Sequence, residues 1–227
     1  MNKQREWDFA LSSSGTIRSE GGLLLGALKD GLVLSGAPKS EDLGPTSLVC
    51  NGQDDAVGKA LKLSGDVEVH GELKSAGSIE VPQEVRGNPR LAPNSKAQEL
   101  PKIQVQKYDP ESRPALQRLS KDTYGEKTLT GFSKYSGREV TFTQGLTLAH
   151  GLLYVDGDLV IDGPLQGSGA VFCTGKVTMR GGADLSGDNQ AAVIAQGDVR
   201  ILGSGAGRSF FKGMIYSGGE GGFPGQE

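Results

Sequence analysis

Three acids lie close together in the segment "VDGDLVIDG", and their spacing could create a cation site. Asp156, Asp158 and Asp162 alternate with apolar residues, so a strand would place them on its solvent side. Hard cations such as Ca²⁺ prefer several carboxylate and carbonyl oxygens. A calcium-binding repeat would repeat its acids, whereas the corresponding positions of the next similar segment carry Thr174, Lys176 and Arg180. We therefore predict no metal site and no cofactor.

Residues suited to acid–base catalysis are sparse. His70 and His150 each precede a glycine at the end of a strand pattern, as expected for outward-facing corner residues, and they can pair only if two distant segments are adjacent. Asp184 and Asp188 could be the paired acids of a carbohydrate-active β-helix. Both lie in the stretch "GGADLSGDNQ", however, where Gly, Asp and Asn are ordinary turn formers. The sequence thus predicts no catalytic residues and no enzymatic activity.

Cysteines and C-terminal aromatic residues are the remaining candidates. Cys50 and Cys173 occupy the same inward position of two similar segments, which predicts small buried side chains, with a disulfide only if their segments abut. Four aromatic residues favour a terminal capping cluster over a surface for sugars or partners: Phe210, Phe211, Tyr216 and Phe223.

Composition narrows the class of protein and its partners. The chain of 227 residues has a net charge of −3, and its Lys and Arg residues are scattered, so no nucleic-acid partner is expected. No apolar run reaches the ~18 residues of a membrane span, and the opening "MNKQREWDFA" is unlike a secretory signal. No membrane contact by this chain is expected. A location at the cell surface or in the periplasm would follow if the chain were the trimmed ectodomain of a longer protein.

Glycine marks a repeat. The segments "LLYVDGDLVIDG" (Leu152–Gly163), "AVFCTGKVTMRG" (Ala170–Gly181) and "AVIAQGDVRILG" (Ala192–Gly203) superimpose without gaps, and "GMIYSG" (Gly213–Gly218) supplies half of a fourth copy. Within each copy apolar residues alternate, which is typical of a strand with one buried face. The copies predict an all-β fold: a single-stranded β-solenoid of about 18–22 residues per coil.

Stacking the copies predicts columns of inward side chains and glycine corners at Gly157, Gly175 and Gly197. The predicted columns are Leu153, Val171, Val193 and Met214; Val155, Cys173, Ala195 and Tyr216; Leu159, Val177 and Val199; and Ile161, Met179 and Ile201. The alternate positions are expected to face solvent.

Three regions are predicted along the chain. Residues 1–81 repeat the theme more loosely, with "ALKLSGDVEVHG" (Ala60–Gly71) fitting fully, and residues 128–227 hold the C-terminal coils. The proline-containing residues 82–127 are interpreted as a connector, with both sets of coils in one continuous stack; a flexible linker between two separate solenoids is the alternative. Within it, "DPESRPALQRLSKD" predicts a short helix capped by Asp109, with Pro110 at its first position. Its apolar residues, Ala115, Leu116 and Leu119, are expected on the side of the solenoid or across an open end.

The chain resembles bacterial pilus-assembly, PilX-like surface proteins, whose C-terminal regions are predicted solenoids. The likeness covers residues 100–219 and lies in "LPKIQVQKYDPES", "GLLYVDGDLVIDG", "GKVTMRG", "GDVRILG" and "FFKGMIYSGG". It implies a right-handed solenoid that acts without catalysis as a structural or adhesive module, with protein partners in a surface or pilus assembly. The repeat is also similar to bactofilins, which implies a self-assembling filament as an alternative. A carbohydrate-binding or carbohydrate-active β-helix is the second alternative.

Overall fold

The computed structural model describes residues 9–19, 23–30, 32, 38–56, 58–100, 102–185, 189–201 and 211–218. Within these ranges the protein is an all-β solenoid of parallel, stacked strands, as the repeat predicts.

Short strands follow one another along the chain. The strands before the connector are β1 (Phe9–Ser13), β2 (Ile17–Ser19), β3 (Leu23–Leu25), β4 (Ala27–Leu28), β5 (Leu43–Gly44), β6 (Thr46–Cys50), β7 (Leu61–Leu63), β8 (Val67–Val69), β9 (Gly71–Ser75), β10 (Ile79–Glu80) and β11 (Arg90–Ala92). Those after it are β12 (Gln117–Leu119), β13 (Thr123–Tyr124), β14 (Lys127–Phe142), β15 (Leu146–Ile161), β16 (Leu165–Cys173), β17 (Val177–Met179), β18 (Ala183–Asp184), β19 (Ala191–Ala195), β20 (Val199–Ile201) and β21 (Gly213–Ser217). Single 3₁₀ turns occupy Ser40–Asp42, Val105–Tyr108 and Pro110–Ser112.

Each full coil has three sides. One coil runs from residues 151–155 through residues 159–161 and residues 165–167 before it returns above its own start at residues 169–173. We call the side that contains residues 151–155 face A, that of residues 159–161 face B and that of residues 165–167 face C. The long strands β14, β15 and β16 bend from one side to the next, so they belong to more than one face.

The order of the strands on face A does not follow the order of the chain. It reads β11, β9, β6, β1, β21, β19, β16, β15, β14, β12. The N-terminal coils therefore build outward from the middle to one end of the stack. The chain then crosses to the far end, and the C-terminal coils build back until β21 pairs in parallel with β1. In the described ranges this is the one strand pairing that joins the two halves.

Side chains of equivalent coils touch as predicted over most of the C-terminal half. Leu153 is in register with Val171, and Val171 with Val193, and all three are fully buried. The columns of face B, from Leu159 to Val199 and from Ile161 to Ile201, also keep their register. Ile201 is nevertheless 41% exposed, because no described strand covers the outer edge of β20.

The fourth copy is displaced by one residue from the predicted alignment. Val193 pairs with Ile215 rather than Met214, and Ala195 pairs with Ser217 rather than Tyr216. Because side chains alternate, this shift turns Met214 and Tyr216 outward. The segment "ALKLSGDVEVHG" differs too: it forms β7 and β8 on faces B and C, whereas "AVFCTGKVTMRG" lies on faces A and B.

Close approach explains the glycine corners. Gly175 donates a backbone hydrogen bond of 2.9 Å to the Gly157 carbonyl, and Gly197 donates one of 3.0 Å to that of Gly175. A Cβ atom at Gly175 would lie 2.6 Å from the Gly157 carbonyl oxygen, so any side chain would collide with the previous coil. Gly157 alone of these three has a positive φ, of +140°.

The predicted helix in the connector is wrong. Asp109 does accept a hydrogen bond from the backbone N–H of Glu111, and Pro110 does stand at the first position, but the 3₁₀ turn ends at Ser112. A second proline, Pro114, disfavours helical backbone at the residue before it. The chain then continues as β12, whose Leu119 is buried in the main core, so this segment forms the last rung of the stack.

Candidate functional site

The outward side of face A is covered by the connector. We call residues 93–100 and 102–116 the strap. Its Ile103 and Val105 pack on a ladder of side chains from successive rungs: Tyr154, Phe172, Ile194 and Tyr216. Val105 is fully buried, and the Tyr108 ring stacks on Phe172 at a centroid distance of 4.2 Å. Face A is therefore buried on both sides at these rungs.

Polar contacts fasten the strap to both halves. On the N-terminal half, the Asn51 side chain donates to the Gln98 carbonyl at 2.7 Å and accepts from the Gln98 backbone N–H at 2.9 Å. On the C-terminal half, Gln106 donates from Nε2 to Oε1 of Gln196 at 2.7 Å. The strap thus holds rungs on either side of the β1–β21 joint.

Lys134 anchors the far end of the strap. Its Nζ lies 2.8 Å from Asp109 Oδ2 and 3.0 Å from Glu111 Oε2, and its side chain is only 13% exposed. The hydrogen bond to Asp109, with that to Glu111, raises the pKa of Lys134 above its usual value despite desolvation. The lysine therefore stays charged and tied to two acids of the strap.

The three acids considered as a cation site each contact the next coil. Asp156 accepts a hydrogen bond of 3.1 Å from Thr174 Oγ1, Asp158 accepts one of 2.7 Å from the Lys176 backbone N–H, and Asp162 pairs with Arg180 at 2.8 Å. These partners are the residues at the corresponding positions of the next coil. In this geometry the acids link neighbouring rungs.

His70 lies in a polar cluster on face C. Its Nε2 is 2.8 Å from Glu68 Oε1 and 3.3 Å from Ser40 Oγ, and Glu68 Oε2 pairs with Arg86 at 2.9 Å. Hydrogen bonds from Ser40 and His70 lower the pKa of Glu68, so this buried carboxylate stays charged. A catalytic triad needs the serine and the acid on different ring nitrogens. Here both contact the same nitrogen, so the arrangement satisfies a buried acid and does not activate Ser40.

His150 lies far from this cluster, in the C-terminal half. It lines a shallow open groove of about 530 Å³ that runs along the corner between faces C and A. The other lining residues are mostly small or polar: Ser168, Gly169, Gln190, Ala191, Ala192, Gly213 and Met214. The two histidines are thus not brought together.

Both cysteines are buried at inward positions of face A, as the repeat predicts. Cys173 donates from Sγ to the Gly157 carbonyl at 3.0 Å, and Cys50 to the Ala60 carbonyl at 3.2 Å. Ala195, Ser217 and Ser13 separate them in the register column, a distance of about 19 Å at ~4.8 Å per rung. Their segments do not abut, and both thiols are free.

The remaining candidates divide between described and undescribed residues. Asp188, Phe210 and Phe223 lie outside the described residues, as does the side chain of Asp184. Phe211 packs against the interior core, whereas Tyr216 packs under the strap. The two described aromatic residues thus lie on opposite sides of face A and do not share a cluster.

We call Tyr154, Phe172, Ile194 and Tyr216, the side chains on which the strap packs, the strap ladder. The sequence interpretation did not predict it, although a sequence pattern indicates it. The copies "LLYV", "AVFC" and "AVIA" are apolar at four successive positions, and a strand with one wet side would alternate. Continuous apolar runs are typical of strands buried on both faces. The third position, which holds Tyr154, Phe172 and Ile194, was expected to face solvent, and this expectation hid the surface on which the strap packs.

These features define a single-chain parallel β-solenoid whose two halves are joined at face A and covered there by the strap. No protein-family model, curated protein or solved structure matches the chain. In the part of the chain that the structure describes, no helix is long and apolar enough to cross a bilayer. Within the same ranges, no three His, Cys, Asp or Glu side chains converge as metal ligands would.

Proposed function

We propose that the protein is a non-enzymatic structural or adhesive module of a bacterial surface apparatus associated with pili. The observation that carries the proposal is the strap, which packs along face A and fastens coils of both halves into one stack. A stack braced in this way suits a spacer that must keep its shape. The chemistry of the side chains agrees with this role, because Asp156, Asp158 and Asp162 are used to link coils.

The test is made in the bacterium that encodes the chain, with an epitope-tagged copy. We expect the tag to be accessible to antibody on intact cells and to co-purify with sheared pili. Val193→Asp, which disrupts the buried column, should abolish both signals, whereas the exposed Arg200→Asp should preserve them. A tag found only in the cytoplasm, or surface signals equal in the two variants, would overturn the proposal.

A filament protein is the second candidate, and the ends of the stack favour it. β11 pairs with β9 alone and β12 with β14 alone among the described strands, so each terminal rung has an edge available for another copy. Leu91 in β11 is 45% exposed.

Sedimentation velocity over a range of concentrations distinguishes the two candidates. A filament protein would form concentration-dependent polymers that Leu91→Lys abolishes, because the charge sits on the terminal edge. Leu24→Lys is the matched control, since Leu24 is 40% exposed but lies on face C away from that edge. Monomers at every concentration would exclude the filament.

A further inference from the structure

The joint between the two halves has a geometry suited to tension. β1 and β21 run parallel, with Leu11 opposite Ile215, Ser12 opposite Tyr216 and Ser13 opposite Ser217. Residue 9 starts β1 at one end of the pair, and residue 217 finishes β21 at the other end. Tension applied through these two points slides the strands along each other and loads all three register pairs together.

Each strand of the joint is held from behind. β1 pairs on its other side with β6, and β21 pairs with β19, so neither strand can be pulled away as a free edge. Ser14 Oγ also donates a hydrogen bond across the joint to the Gly218 carbonyl. Sliding must therefore break the joint itself or pull a strand out from between two neighbours.

The strap braces the same joint from outside. Gln98 is bonded to Asn51 next to β6, and Gln106 is bonded to Gln196 next to β19, so the two contacts lie on opposite sides of the joint. Between them Val105 packs against the strap ladder that includes Tyr216. Displacing one half relative to the other disturbs these contacts as well as the strand pairing.

We propose that the β1–β21 joint, with the strap across it, is a mechanical clamp that resists tension entering through the two ends of the described chain. Parallel strands pulled from opposite ends share the load, whereas strands pulled from the same end separate one pair at a time. With three register pairs, the force needed to break the joint in the first geometry is about threefold that in the second. This deepens the proposed structural role and rests on it.

Single-molecule force spectroscopy on the full chain tests the clamp. In the shear geometry, handles are attached to the N- and C-termini. In the peeling geometry, the second handle is a thiol at Lys212→Cys, immediately before β21, so that both strands are pulled from the same end. Cys50 and Cys173 are buried, which allows the introduced thiol to be labelled selectively.

We expect the rupture force in shear to be about threefold that in peeling. Ser12→Pro, which removes a ladder hydrogen bond from β1, should lower the shear force. Leu153→Ala, in the buried core three rungs from β21, should lower thermal stability and leave that force unchanged. Equal forces in the two geometries of the wild-type chain would overturn the clamp, even if Ser12→Pro fails to fold.

This outcome is distinguishable from failure of the proposed function. A surface-located chain with equal forces would lose the clamp alone, and a clamped chain confined to the cytoplasm would lose the surface role alone.

Discussion

Replacing Val193 by Asp places a carboxylate in the middle of the buried column. Val193 is fully buried and lies in register between Val171 and Ile215. Removal of its two methyl groups costs roughly 1.6 kcal/mol at ~0.8 kcal/mol per group. The unpaired carboxyl group adds at least ~1–3 kcal/mol, because its neighbours offer aliphatic carbon and no donors. The total is a large fraction of the ~5–15 kcal/mol that stabilises a typical domain.

The assay is a thermal melt followed by far-UV circular dichroism, with Arg200→Asp as the matched control. The control introduces the same side chain into the next strand of the same coil, at an exposed outward position, and should change stability by no more than ~0.5 kcal/mol. For Val193→Asp the midpoint should fall by roughly 10 °C, or the C-terminal coils should unfold altogether. Equal shifts in the two variants would refute the assignment of inward and outward positions.

Three further predictions concern glycine, thiol and phenol groups. Gly175→Ala should destabilise the protein far more than Gly44→Ala, because a Cβ atom at residue 175 lies 2.6 Å from a backbone oxygen, whereas a Cβ atom at residue 44 lies 3.8 Å from its nearest neighbour. Chemical denaturation of both variants would measure the difference. Equal denaturation midpoints would contradict the close-approach argument. Desolvation raises the pKa of Cys173 to about 12 and also raises the pKa of Cys50. Both thiols should therefore resist iodoacetamide at pH 8 until the chain unfolds. Rapid alkylation of the folded protein, detected by mass spectrometry, would disprove the prediction. Burial, with the nearby Asp122, raises the pKa of Tyr135 to about 12 from 10.0. Because the phenol of the unfolded chain ionises first, the stabilising contribution of Tyr135 is fully present below pH 10 and is lost between about pH 10 and 12. In thermal melts recorded across that range, Tyr135→Phe should flatten the fall in stability.

The repeat predicts the register of the C-terminal coils well because glycine corners fix it. Successive corners stack closely at Gly157, Gly175 and Gly197. This close approach sets the register of the residues that follow each corner, whatever their side chains. The same reasoning fails at β21. Gly218 stacks on Gln196 and not on Gly197, because the last copy reaches its corner one residue late. Matching glycines in the sequence therefore gave the wrong frame for Met214 and Tyr216.

The sequence could not reveal the order in which the strands stack. Apolar residues at alternate positions predict that a strand has neighbours in the stack, but they do not specify which strands these neighbours are. The sequences of β1 and β21 therefore do not identify the two strands as partners. The strap was partly predictable, since Tyr154, Phe172 and Ile194 stand where polar residues were expected. The prediction of a helix at Asp109 was wrong because two effects outweigh the local capping signals. Pro114 disfavours helical backbone, and Leu119 becomes buried when β12 joins the stack as its edge strand.

The pairing of β1 with β21 also constrains how the chain is made. When β1 leaves the ribosome, its partner Gly213–Ser217 lies about 200 residues further along, and at ~5–20 residues per second it arrives roughly 10–40 s later. For that interval β1 presents an unpaired strand edge, which can pair with β21 of a neighbouring copy whose synthesis is complete. Slow synthesis or high expression should thus favour intertwined dimers, whereas a chaperone that shields Phe9–Ser13 until translation ends would favour correct closure.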